Sequence, residues 1–155
     1  MRHNLAAFRR LESRERFLLL AALALLPWAQ LAVAVLPLPK LMRLAHLRSV
    51  PADYQLDGPS AASATACLSR QARVRKIFRI IERKFPFWPG RCLAQALVAR
   101  FFLRRQGVTC LLILGAKHFY AQPGQAFKAH AWLKSGGVVI TGDGHEQYIP
   151  VAHFL

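Results

Sequence analysis

Three side chains that could form a thiol-based acyl-transfer site occur in the order Cys92, His130 and Asp143. In such a site cysteine is the nucleophile, histidine is the general base, and aspartate fixes the tautomer of the histidine. Cys92 follows a Pro-Gly pair in WPGRCLAQAL, which predicts that it lies in the first turn of a helix. Unpaired backbone N–H groups there would stabilise a thiolate and could hold the oxyanion of a tetrahedral intermediate.

His130 and Asp143 belong to two strand-like stretches, 128–134 and 138–142, which are joined by Ser-Gly-Gly and predict a β-hairpin. A two-residue turn at the Gly-Gly pair would place His130 directly opposite Asp143, with Cβ atoms about 4.5–5.5 Å apart. A turn one residue earlier would place Thr141 opposite His130 instead. The triad therefore depends on this register.

The remaining cysteines and histidines give no second site. Cys67 and Cys110 fall inside a predicted helix and a predicted strand and are interpreted as structural. An odd number of cysteines without a close pair predicts no disulfide framework and fits a reducing cytoplasm. No HExxH or CxxC spacing occurs, so neither a metal nor a cofactor is expected. Weaker alternatives to the predicted base and orienter are His118, His145 and, for the orienter, Glu146.

The composition describes a basic globular chain. At 155 residues with 54% apolar residues, it is long enough for one domain with a core, and a disordered chain is excluded. The net charge of +15 attracts acidic partners, although a solvated basic surface without a ligand explains it equally. No zinc-knuckle, helix-turn-helix or aromatic-basic strand motif accompanies the charge, so no nucleic-acid binding is predicted.

An uncharged apolar run, FLLLAALALLPWAQLAVAVLPL at 17–38, is long enough to span a bilayer. Pro27 near its middle, with Pro37 and Pro39 at its end, predicts that it is divided into two shorter helices. Three interpretations remain: packing on the domain or on a partner, association with a membrane surface, or a transmembrane span. No clean small-residue cleavage site marks the run as a signal peptide.

The chain is expected to have three parts: an apolar helical segment at 1–50, a linker at 51–65 and a catalytic core at 66–155. Helices precede strands in the core, which predicts an α+β fold. A basic amphipathic helix is predicted at 66–85, with an apolar side that includes Val74, Ile77, Phe78 and Ile81.

A second helix is predicted at 92–106, with Phe101 inward, Arg100 outward and Gly107 as its C-terminal cap. The strand TCLLILGA at 109–116 follows, and the tail GHEQYIPVAHFL is expected to return along the sheet or to cap it.

The stretches RCLAQALVARFFLRRQGV, LLILGA, KAHAWLKSGGVVITGD and YIP resemble the transglutaminase-like leader peptidases, or B proteins, of lasso-peptide biosynthesis. The resemblance covers about residues 70–155, and its most specific parts are the Arg-Cys-Leu helix start and the Ala-His-Ala-Trp strand. It implies a papain-like cysteine peptidase core with Cys92 as nucleophile, His130 as base and Asp143 as orienter.

The resemblance also implies partners. The substrate would be a ribosomally made precursor peptide, whose leader is removed before a separate ATP-dependent lasso cyclase closes a macrolactam. Residues 1–50 lack the strand pattern of the leader-recognition domain that some members carry, so the split form with a separate recognition protein is expected. The basic helix at 66–85 would meet that protein or an acidic peptide. Trp88 and Trp132 are candidate substrate-binding residues.

Two other functions remain open at this stage. A transglutaminase-like acyltransferase or amidase would use the same triad, with an amine instead of water resolving the thioester. A basic membrane-associated adaptor would instead keep Cys92 and His130 as structural residues.

Overall fold

The computed structural model describes residues 11–54, 56, 61–84, 91–118 and 127–155, without the side chains at 61–63, 91, 118 and 127. Within these ranges the chain forms four α-helices, a five-stranded sheet and one 3-10 helix at His145–Gln147. The helices are α1 (Ser13–Val35), α2 (Leu38–Leu44), α3 (Ala61–Lys84) and α4 (Arg91–Arg105). The strands are β1 (Ser49–Val50), β2 (Leu111–His118), β3 (Phe127–Ser135), β4 (Val138–Thr141) and β5 (Ile149–Phe154).

The sheet has the strand order β1-β5-β2-β3-β4, and each neighbouring pair is antiparallel. The predicted hairpin forms β3 and β4, and the tail returns along the sheet as β5, beside β2. The predicted α+β fold is therefore confirmed.

Helices α3 and α4 pack on one face of the sheet, where α3 contacts β4 and α4 contacts β3. The predicted apolar side of α3 is confirmed, since Val74, Ile77, Phe78 and Ile81 are each 1% exposed. They share a core with the strand residues Leu112, Ala131, Leu133 and Ile140. On the opposite face a smaller cluster is formed by Leu111, Ile113 and Trp132.

Helix α1 is continuous, so the prediction that Pro27 divides the apolar run into two helices is wrong. One side of α1 packs on α4 and α3 and buries Leu19, Ala22 and Leu26. At its start, the buried Glu15 carboxylate lies 2.8 Å from Nζ of Lys76 on α3. An interior proline costs a helix about 3 kcal/mol, and these tertiary contacts offset that cost.

The N-terminal segment shares its core with the rest of the chain. Leu19, Ala22 and Leu26 of α1 belong to the same apolar cluster as α3, α4 and the sheet, and β1 pairs with β5. Among the described helices, α1 alone is long and apolar enough to cross a membrane, with a mean hydropathy of 2.2 over its most apolar window. Core helices and signal sequences meet the same criterion.

Helix α4 ends at Arg105 and is capped by Gly107, as predicted; the φ of 71° at Gly107 allows Val108 N–H to bond Leu103 O at 3.0 Å. The assignment of its faces is partly wrong. Arg100 is 8% exposed and donates from Nη1 to Ala45 O at 2.9 Å, whereas Phe101 is 45% exposed. The reason is that α4 lies between α1 and the sheet, so most of its circumference is covered.

Candidate active site

Cys92 is the second residue of α4, as predicted, and its side chain is partly buried. The backbone N–H groups of Leu93 and Ala131 lie close enough to its sulfur to favour a thiolate. The first belongs to the same helix turn, where N–H groups lack intrahelical partners, and the second belongs to β3. The thiol therefore lies where the start of α4 meets the sheet.

Cys92 can reach β3 because the short strand β4 pairs with only the second half of β3. The β3–β4 ladder pairs Leu133, Lys134 and Ser135 of β3, while β3 itself begins at Phe127. Within the described residues, the first half of β3 thus has no strand on this side. Cys92 lies at that edge, beside the imidazole of His130.

The surroundings of Cys92 favour its thiolate. Burial alone would raise the pKa of the thiol, but the hydrogen bonds from His130 and Ala131 N–H and the charge of the imidazolium outweigh burial and lower the pKa below its ordinary value. A further N–H of the first helical turn, that of Leu93, acts in the same direction. A lowered pKa makes more of the nucleophilic form available near neutral pH.

The surroundings of His130 favour its cation. The hydrogen bond to Cys92 raises the pKa of the imidazole, and burial, which lowers it, is outweighed. The Cys92 charge, the Gly142 carbonyl and the Glu82 carboxylate also raise the pKa. Each group thus stabilises the charged form of the other, and the pair favours a thiolate and an imidazolium.

Aromatic rings hold the imidazole in place. The Tyr148 ring lies 4.7 Å from the His130 ring, centroid to centroid, at an interplanar angle of 29°. Trp132, two residues along β3, lies 6.1 Å from His130 at 23°. The indole fits because position 115 is glycine, where a Cβ would come within 2.6 Å of Cζ3 of Trp132.

Asp143 does not face His130 across the hairpin, and this part of the register prediction is wrong. The turn at Gly136-Gly137 is as predicted, with Ser135 opposite Val138, but a bulge then shifts the register so that Leu133 faces Thr141. Strand β4 ends there, and the next residue, Gly142, has a φ of 88°.

The Asp143 side chain is consequently exposed to solvent. The backbone carbonyl of Gly142, the residue before Asp143, is the nearby acceptor that acts on the His130 imidazole. The orienting role of Asp143 thus stays a prediction, and the observed register does not support it.

Glu82 acts on His130, although the sequence patterns did not predict it as a site residue. Glu82 stands on α3, before Cys92 in the chain, and its carboxylate is near enough to raise the pKa of the imidazole. The sequence held a signal for it, because Glu82 lies one helical turn after the core residue Phe78 and therefore on the inner side of α3.

The other residues considered for a functional role are Trp88, Trp132 and Cys110. Trp88 lies outside the described residues, and Trp132 is 2% exposed, which leaves little of its surface for a substrate. Cys110 is buried, and burial raises its pKa to about 12. Among the described residues, no group of three His, Cys, Asp or Glu side chains could hold a metal ion.

Cysteine-dependent acyl-transfer enzymes use a cysteine at the start of a helix that lies beside a histidine on an antiparallel sheet, and this chain has the same arrangement. The family model of the Transglutaminase-like superfamily matches residues 18–153, and the chain belongs to this superfamily. The superfamily consists of papain-like cysteine enzymes, so the chain is of the general cysteine peptidase or acyltransferase kind. Comparison with curated proteins and with solved structures finds no match.

Proposed function

We propose that the protein is a cysteine peptidase that removes the leader from a ribosomally made lasso-peptide precursor. The observation that carries the catalytic part is that the Cys92 thiol, at the start of α4, lies beside the His130 imidazole, and each group stabilises the charged form of the other. The precursor as substrate is supported by the resemblance of the Arg-Cys-Leu helix start, the Ala-His-Ala-Trp strand and the closing Tyr-Ile-Pro to the B proteins.

The first half of the reaction forms a thioester. The Cys92 thiolate attacks the carbonyl carbon at the end of the leader, and the π electrons of the carbonyl move onto its oxygen. Backbone N–H groups of the first turn of α4 stabilise the oxyanion. The tetrahedral intermediate collapses, the C–N bond breaks, and the His130 imidazolium gives its proton to the departing amine.

The second half regenerates the enzyme. Neutral His130 takes a proton from a water molecule, and the hydroxide attacks the thioester carbonyl. Collapse of this second intermediate breaks the C–S bond and releases the leader with a free carboxylate. The freed amine of the core peptide is then the substrate that a separate ATP-dependent cyclase needs for macrolactam closure.

A basic groove on α3 is the proposed contact for a separate leader-recognition protein or for an acidic stretch of the leader. Arg75, Lys76, Arg79 and Arg83 line this groove of about 540 Å³, together with the β4 residue Val138. The expected result of replacing Arg79 and Arg83 with Glu is slower processing, whereas the same charge change at Arg104 and Arg105 of α4 leaves it unaltered. Equal effects of both pairs would contradict the contact.

The experiment that tests the proposal is mass spectrometry of a lasso precursor incubated with the full chain, with and without its recognition partner. Wild-type protein is expected to release leader and core peptide. Cys92→Ala is expected to abolish release, and Cys67→Ala, as the matched control, is expected to retain it. Cleavage by the Cys92→Ala variant would overturn the assignment.

Acyl transfer is the second candidate, because the same thioester can be resolved by an amine. Adding a primary amine to the incubation distinguishes the two reactions. A peptidase yields the leader with a free carboxylate, and an acyltransferase yields the leader joined to the amine through an amide bond.

A further inference from the structure

The outer side of α1, which faces away from α4, carries large apolar side chains that no other part of the described structure covers. Phe17 and Trp28 are 71% and 72% exposed, and Leu20, Leu31 and Val35 are 57%, 55% and 68% exposed. Their separations of three or four residues, with Ala24 between Leu20 and Trp28, place them along one side of the helix. This stripe is called the outer face of α1.

The outer face contains no polar residue. From Phe17 to the end of α1, every residue in the exposed class is apolar: Phe17, Leu20, Ala24, Pro27, Trp28, Leu31, Ala34 and Val35. At 1.5 Å per residue the stripe extends over roughly 30 Å. Continuous apolar patches of this size mark interaction sites in soluble proteins.

Exposed cations border the outer face at both ends. Arg14 lies near Phe17, in a groove that is also lined by Arg70, Arg73 and Arg105. Beyond Val35, Lys40 and Arg43 of α2 are exposed. The pattern of an apolar surface with a large aromatic residue in it and positive charge around it is typical of helices that lie in the interface of an anionic membrane.

We infer that the outer face of α1 lies on an anionic lipid bilayer, with the helix parallel to the membrane plane and its inner side still packed on α4. The charge pattern disfavours a second copy of the chain as the occupant. Because both ends of the stripe are basic, either a parallel or an antiparallel pairing would bring cations together, on chains that each carry +15.

The packing of α1 distinguishes surface binding from a transmembrane span. A span would remove Leu19, Ala22 and Leu26 from the core and would break the contact between Glu15 and Lys76. Surface binding keeps all of these. Since α4 lies between α1 and β3, the bilayer would be on the far side of α4 from the sheet that carries His130.

The test is co-sedimentation of the full chain with vesicles of phosphatidylcholine, with and without phosphatidylglycerol, at physiological salt. Wild-type protein is expected to bind the vesicles that contain phosphatidylglycerol and to be released by an alkaline carbonate wash. The triple variant Leu20→Ser, Leu31→Ser, Val35→Ser is expected to bind about tenfold more weakly or worse. The matched control, Ile149→Ser with Val151→Ser on β5, is expected to bind like wild type, because these residues are 72% and 69% exposed but lie elsewhere.

Circular dichroism confirms that each variant is folded, and the fluorescence of Trp28 reports insertion directly. Its emission is expected to shift to shorter wavelength on vesicle addition, and the shift is expected to disappear in Trp28→Phe. Equal binding by the triple variant, resistance to carbonate, or a lack of binding to anionic vesicles would each overturn the inference. So would a dimer in solution that the triple variant converts to a monomer, since the occupant would then be a second copy.

Discussion

The ring of Tyr148 stacks on the ring of His130, with the two ring centroids 4.7 Å apart and an angle of 29° between the ring planes. Such aromatic pairs contribute about 0.5–1.5 kcal/mol beyond the area they bury. We therefore expect Tyr148→Leu to reduce the rate of precursor processing about two- to tenfold, by letting the imidazole turn away from Cys92. Tyr148→Phe keeps the ring and is expected to keep the rate.

The readout that separates positioning from substrate binding is the division between kcat and KM. A positioning role lowers kcat and leaves KM near its wild-type value. An equal loss in Tyr148→Phe and Tyr148→Leu would instead assign the effect to the phenolic hydroxyl.

Gly115→Ala is expected to destabilise the fold. The added Cβ would lie 2.6 Å from Cζ3 of Trp132 and 3.0 Å from the backbone O of Ile149, so either the indole or β5 must move. Overpacking of this kind costs about 1–3 kcal/mol, which chemical denaturation would measure as a lower free energy of unfolding. Gly144→Asn is the control, since no atom would lie within 4 Å of a Cβ added at this position and asparagine tolerates the φ of 81°.

The contact between Glu15 and Lys76 is expected to make stability depend on pH. Burial alone would raise the pKa of Glu15, but Lys76 and the Glu12 backbone N–H together lower it. Because the pKa of Glu15 is lower in the folded protein, its ionised carboxylate stabilises the fold at pH values above the ordinary carboxyl pKa. This stabilisation is lost as the pH falls through the pKa of Glu15 in the folded state.

Glu15→Gln is therefore expected to lower the free energy of unfolding by about 1 kcal/mol at neutral pH, because Lys76 is half exposed and solvent screens the pair. The difference should shrink on acidification. Asp53→Asn, at an exposed site, is the control for the charge change. An effect of Glu15→Gln that does not vary with pH would refute the electrostatic explanation.

Glu82 and Asp143 are the two candidates for the carboxylate that orients the His130 imidazole. Glu82→Gln is expected to lower the pKa of the imidazole, since the Glu82 charge raises it, and an NMR titration of the His130 ring would record the change. Asp143→Ala is expected to slow processing less than His130→Ala does, because nucleophile and base remain in place. If Asp143→Ala shifts the pKa and Glu82→Gln does not, the orienter is Asp143 as first predicted.

Local sequence signals predicted most of the fold and the position of Cys92 at the start of a helix. The Pro-Gly pair predicted the start of α4 and the place of Cys92 in its first turn. Gly107 predicted the helix end, and Gly136-Gly137 predicted the turn between β3 and β4. These features depend on the backbone preferences of a few adjacent residues, which the sequence displays directly.

Features that depend on tertiary packing were not predictable. The bulge beside Leu133 shifts the strand register by one residue, so that Asp143 is not directly opposite His130. Pro27 stays inside a helix because one side of α1 packs on α3 and α4, and Arg100 is buried because α4 lies between α1 and the sheet. Helical periodicity indicates that a helix has an inner side, but it does not indicate how many neighbours will cover it.

The reactivity of Cys92 tests the central claim most directly, and it requires no substrate. The measurement is the rate of alkylation by iodoacetamide as a function of pH, with each cysteine resolved by mass spectrometry. Cys92 is expected to react fastest, with a midpoint below the ordinary thiol range, while Cys110, whose pKa is raised to about 12, stays unmodified. In His130→Ala the midpoint is expected to move to higher pH, because burial still raises the pKa of the thiol and the imidazole that lowers it is absent. A Cys92 that reacts no faster than Cys67, or whose midpoint is the same in His130→Ala, would contradict the account.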